Sequence, residues 1–66
     1  MRFGELRQHI PCDTVIWLQS EDGFCIDENE NDYIDAKHND LEVVTFYNER
    51  YPVIGESGIT VVVEAR

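Results

Sequence analysis

The side chains able to do chemistry are unevenly spread along this chain. Fourteen carboxylates, two histidines and two cysteines stand against five lysines and arginines in 66 residues, for a net charge of −9. Nine of the acids fall in one stretch: Glu21, Asp22, Asp27, Glu28, Glu30, Asp32, Asp35, Asp40 and Glu42. Lys37 is the only lysine or arginine among them, so the stretch holds −8 of the −9. Such a surface repels nucleic acid and anionic membrane and attracts basic protein surfaces. Two readings follow. The block is a solvated loop that keeps a small protein soluble, or it imitates a polyanion and occupies a nucleic-acid-binding groove on another protein. In the second case, complementary charge speeds encounter more than it adds affinity. The nine carboxylates are therefore the candidate partner-binding residues.

Other chemistry fits less well. Asp27-Glu28-Asn29-Glu30-Asn31 offers oxygens at positions one, three and five of a calcium loop, and Tyr33, Ile34 and Asp35 continue the pattern. Asp32 stands where a glycine must permit the turn, and His38 where a bidentate glutamate is needed. His9 and His38 have no thiol spacing near them that suggests zinc. Nothing marks Cys12 or Cys25 as an activated nucleophile, and in a reducing compartment both are expected to stay free. Carboxylate pairs suited to glycoside chemistry carry no signal without a cleft. Trp17, Phe46, Tyr47 and Tyr51 could form an aromatic platform, but base-stacking platforms need cations around them. They read as core or as protein anchors. No catalytic residue, metal ligand or cofactor is assigned.

The elements that must position these residues come from hydrophobic pattern. Phe3, Leu6 and Ile10 recur at helical spacing, with Glu5, Arg7 and Gln8 on the wet side and Pro11 as the stop. Thr14–Gln19 is β-branched and aromatic and reads as a strand. Phe24–Asp27 reads as its hairpin partner. A three-residue loop Glu21-Asp22-Gly23 with a left-handed Gly23 pairs Leu18 with Ile26 and Ser20 with Phe24. That register gathers Ile16, Leu18, Phe24 and Ile26 on one face and sends Trp17 to the other, beside Val15 and Cys25. Glu28–Asp40 reads as a loop with one helical turn near Tyr33–Lys37. Leu41–Tyr47, apolar on both faces, reads as a central strand or an interface. Asn48–Gly58 is a connector. Ile59–Ala65 is a last strand with Ile59, Val61 and Val63 inward. The expected fold is α+β in a single domain, residues 1–66: a short N-terminal helix on a mostly antiparallel sheet of about four strands.

A chain this short buries only about 60% of its unfolded surface. A partner subunit, a bound protein or a metal would add to so small a core, and self-association is left open. No apolar run approaches the roughly 18 residues of a membrane span, and Met1-Arg2-Phe3-Gly4-Glu5 lacks a secretory signature. A cytoplasmic location is expected.

The layout resembles a known group. The N-terminal helix, the Pro11-Cys12-Asp13-Thr14 turn, the apolar strand, the Glu21-Asp22-Gly23 turn and two later strands are similar to small acidic proteins encoded by phages and mobile elements of Gram-positive bacteria. Some of these are anti-CRISPR or anti-restriction inhibitors. The resemblance implies a non-enzymatic protein-binding module, an inhibitor of a host nucleic-acid-handling enzyme, whose partner is a protein with a basic surface. It carries over no functional residue. The alternatives are a small divalent-metal-binding protein using Asp27 to Asp35, and an accessory subunit whose acidity serves only solubility.

Overall fold

The computed structural model describes residues 1–51 and 56–64, with side chains for 1–48 and 58–64. The element order is α1 (Phe3–Arg7), β1 (Val15–Ser20), β2 (Cys25–Glu30), 3₁₀ turns at Asn31–Tyr33 and Ala36–His38, β3 (Val43–Tyr51) and β4 (Glu56–Val63). The strands form one sheet in the order β2-β1-β4-β3. The helix and the 3₁₀ turns lie on one face of it, so the domain is α+β. No helix among the described residues is long and apolar enough to cross a membrane.

The sheet is mixed rather than mostly antiparallel. β1 pairs antiparallel with β2, and β3 with β4, but the central pair β1–β4 is parallel. β2 and β3 consequently run the same way, and residues 31–42 must return the chain to the other end of the sheet between them. This crossover sits in the stretch whose polarity reads as a loop. Ile34 anchors it in the core, and Leu41 is partly buried against the same cluster.

The core is the set that the pattern marks. Phe3, Leu6 and Ile10 from the helical segment meet Ile16 and Leu18 of β1 and Val61 and Val63 of β4, and all are buried. α1 itself ends at Arg7. Ile10 is carried by the turn that follows, where its N–H donates to the Arg7 carbonyl at 3.1 Å. The helix N-terminus is tied to the crossover. The N–H groups of Phe3 and Gly4 donate to the carbonyls of Leu41 (2.8 Å) and Asn39 (3.0 Å), which satisfies donors that a helix leaves unpaired.

The hairpin confirms the three-residue loop and corrects the register beyond it. Gly23 has φ +89°, and the Ser20 N–H donates to the Phe24 carbonyl at 2.9 Å. Gln19 pairs with Cys25, and then a β-bulge shifts the ladder so that Leu18 faces Asp27, not Ile26. The extra residue is absorbed in β2. Ile26 still packs against the core, but Phe24 is 69% exposed. β3 is not central: it is an edge strand with Val44, Phe46 and Tyr47 exposed. Most of the expected connector is strand, since β3 runs to Tyr51 and β4 starts at Glu56. Pro52 and Ala65 lie outside the described residues.

Candidate protein-binding surface

The acidic block does not form one loop. It maps onto the hairpin tip, the edge strand β2 and the crossover. β2 places its carboxylates alternately, as a strand must. Glu28 opposes Trp17 and Glu30 opposes Val15, so both project from the sheet face that carries no helix. Asp27, opposite Leu18, turns to the helix side, where its Oδ2 lies 3.9 Å from His38 Nε2.

Five of the nine candidates have local structural work. Asp27 meets His38 and also accepts from the Glu28 N–H at 2.8 Å. Asp22 accepts a hydrogen bond from the Ser20 hydroxyl and one from the Phe24 N–H at 3.3 Å. These bonds, the hydroxyl's first, hold its carboxyl below the ordinary aspartate value of 3.8. Asp35 caps the second 3₁₀ turn by accepting from the Lys37 N–H at 2.9 Å. Asp40 lies 3.9 Å from Arg2 Nη1. Glu42 Oε2 meets the N-terminal ammonium at 3.4 Å. The remaining four, Glu21, Glu28, Glu30 and Asp32, are exposed. Their side chains have no hydrogen bond or ion pair among the described residues.

Two of the described cations are engaged elsewhere. Arg2 pairs with Asp40. Arg7, which pattern assigns to the wet side of the helix, is instead drawn inward. Its Nε donates to Asn31 Oδ1 (2.9 Å), its Nη1 to Asn39 Oδ1 (2.8 Å), and its Nη2 to the carbonyls of Asn31 and Ile34. The guanidinium also stands 5.4 Å from the centre of the Phe3 ring. Asn31 returns the favour to the helix end, donating from Nδ2 to the carbonyls of Arg7 (3.0 Å) and Ile10 (2.9 Å). The only sequence signal for this hub is one asparagine in a breaker-rich stretch. The shallow depression around it, about 350 Å³ and lined in part by Arg7, Cys12 and Asn31, has its strongest donors already engaged.

The calcium pattern does not become a loop. Asp27 and Asn29 sit in an extended strand, and Asn31 is committed to the helix end. Among the described residues, no three histidine, cysteine or acidic side chains gather to hold a metal. Cys12 and Cys25 are exposed and unbonded. The aromatic residues do not form one platform. Tyr47 faces Thr60, which in turn faces Trp17, on the open side of the sheet, whereas Phe46 faces Val61 on the helix side. The Tyr51 side chain is outside the described set.

On the open face, Val15, Trp17 and Val62 are partly buried and Tyr47 is exposed, with Glu28 and Glu30 as their border. Thr60, paired between Trp17 and Tyr47, is only 1% exposed. The Trp17 Nε1 is buried with no acceptor among the described residues. The assembled surface is a row of carboxylates along an unshared sheet edge, beside an aliphatic and aromatic face. No protein-family model matches the chain, and neither does any curated protein or solved structure.

Proposed function

We propose that this chain is a non-enzymatic protein-binding module of phage or mobile-element type. Its acidic edge meets a basic groove on a nucleic-acid-handling enzyme and keeps that enzyme from its substrate. One observation carries the reading: Glu21, Glu28, Glu30 and Asp32 stand exposed along the β2 edge and the turns flanking it, with no partner among the described residues, while Arg2 and Arg7 are engaged elsewhere. The carboxylates of Glu28 and Glu30, two residues apart on a strand, repeat at about 6.7 Å. They are held on a rigid element, so little side-chain order is lost when a cationic groove closes on them.

A second reading is favoured by the same placement. Charged side chains on an edge strand deter edge-to-edge pairing with other sheets, and β2 is such an edge. The two readings part on kinetics. The test captures a partner from a bacterial lysate and then measures purified association for the native chain and for Glu21→Gln, Glu28→Gln, Glu30→Gln, Asp32→Asn combined. A groove-binding role requires association to slow about tenfold at low salt and to lose most of its salt dependence. Equal association rates at low and high salt for both chains would leave edge protection as the role of these carboxylates.

A further inference from the structure

β2 is an unshared edge of the sheet, and the backbone groups it turns outward decide whether another strand can join it. The Asn31 N–H, just past the strand end, donates to the Thr14 carbonyl at 2.8 Å. In an antiparallel ladder every second residue turns its N–H toward the neighbouring strand. Asp27 and Asn29, opposite Leu18 and Ile16, therefore face β1 as Asn31 does. The N–H groups of Glu28 and Glu30 turn to the outside.

Neither outward donor is free. Asp27 Oδ1 accepts from the Glu28 N–H at 2.8 Å, and Asn29 Oδ1 accepts from the Glu30 N–H at 2.8 Å. The same device is thus repeated in register along the edge. The Asp27 carboxylate is also steadied from behind, with His38 Nε2 at 3.9 Å from Oδ2. Both ends of this stretch are blunted. The β-bulge between Cys25 and Asp27 shifts the ladder at one end. At the other the chain leaves the sheet into the 3₁₀ turn Asn31–Tyr33, where the Asp32 N–H donates to the Cys12 carbonyl at 2.9 Å.

We propose that Asp27 and Asn29 are edge caps that close β2 to strand addition, so that a partner meets this edge through side chains alone. A joining strand must both donate to an edge and accept from it. Along Glu28 and Glu30 it would have to break a bond already made at each donor, exchanging one hydrogen bond for another with little gain. Charge could not close the edge under all conditions. Repulsion from Glu28 and Glu30 fades as the screening length falls to about 3 Å at 1 M salt, whereas a bond to the backbone persists. The pleat divides the labour. Asp27 and Asn29, on the helix side, serve the backbone, and Glu28 and Glu30, on the open face, are left exposed. The caps act whether or not a basic groove meets those carboxylates.

Residue-by-residue amide exchange tests this on the chain alone. Asp27→Ala should quicken exchange at Glu28, and Asn29→Ala at Glu30, each at least about threefold beyond the effect of the changed neighbour, with the other amide unmoved. Asp27→Asn removes the charge but keeps an oxygen acceptor, so Glu28 should stay slow. In sedimentation equilibrium at about 1 M salt, where the charges are screened, Asp27→Ala combined with Asn29→Ala should associate at lower concentration than the native chain. Glu28→Gln combined with Glu30→Gln should associate no more than the native chain. Far-UV dichroism reports whether each variant is folded. If loss of the His38 contact unfolds Asp27→Ala, then Asn29→Ala alone decides, by exchange at Glu30 and by association. Unchanged exchange in the alanine variants, equal quickening by Asp27→Asn, or no added association once the caps are removed would overturn the proposal. Association promoted by the glutamine pair would overturn it as well.

Discussion

Arg7 and Asn31 satisfy one another and tie the end of α1 to the start of the crossover. Removing the asparagine side chain strands the carbonyls of Arg7 and Ile10 and one guanidinium donor. Buried groups left without partners cost about 1–3 kcal/mol each, less any relaxation. Asn31→Ala is expected to lower stability by about 2 kcal/mol in urea denaturation, while Asn29→Ala, exposed two residues earlier, changes it by less than about 0.5 kcal/mol. Asp22 makes a second prediction at this scale. Folding lowers its pKa, so the carboxylate's support of the turn is complete above the ordinary aspartate range and is lost as pH falls through the folded value. Its carboxyl resonance should titrate below 3.8 in the native chain, and Ser20→Ala, which removes the first cause, should move the titration upward. These residues were poorly legible in the sequence. Arg7 and Asn31 are separated by 24 positions, and no local periodicity marks a polar pair that only the tertiary fold brings together. The Glu-Asp-Gly turn that carries Asp22 was readable because turn chemistry is local, but the bonds its carboxylate accepts from Ser20 and Phe24 were not.

Among the elements, the two glycines given structural roles are constrained for different reasons. A Cβ on Gly4 would lie 2.9 Å from Asn39 Cβ, and Asn39 cannot swing away without releasing Arg7. A Cβ on Gly23 meets nothing within 4 Å, but its φ of +89° strains any side chain. Gly4→Ala should therefore cost about 1–3 kcal/mol through displaced packing, and Gly23→Ala about 1–2 kcal/mol through backbone strain. Replacing Asn39 by Gly separates them in thermal melts: it should relieve part of the Gly4→Ala cost and none of the Gly23→Ala cost. Element by element, the sequence was a fair guide. Phe3, Leu6 and Ile10 marked the helical segment, the β-branched run around Ile16 marked β1, and Ile59, Val61 and Val63 marked β4. Strand order was not legible, because the parallel β1–β4 pair depends on a crossover whose anchors, Ile34 and Leu41, are isolated among polar residues. β3 read as central because Val43, Val44, Phe46 and Tyr47 are apolar on both faces; the same composition suits an edge with one side left open.

For the whole molecule, the charge distribution matters more than its total. Glu21, Glu28, Glu30 and Asp32 make no described contacts, and like charges around a compact domain repel. Neutralising all four should leave the urea midpoint unchanged or slightly raised at low salt, with the difference vanishing as salt screens the repulsion. A loss of stability would show that these carboxylates make structural contacts. The acidic stretch itself was plain in the sequence. Its division into capping carboxylates such as Asp22 and Asp35 and exposed ones such as Glu28 was not, since identical side chains take either role according to the backbone beside them.

The parallel pairing of β1 with β4 bears on how the chain reaches this state. Val15 is held beside Gly58, and Phe3 beside Leu41. β1 therefore waits for its neighbour until β4 has left the ribosome, and α1 waits for the crossover. Only the β1–β2 hairpin can form early, and an isolated hairpin is marginal in water. Distant contacts of this kind slow the search, so refolding should run in milliseconds or longer as one cooperative step, and fragments ending before residue 56 should remain unstructured.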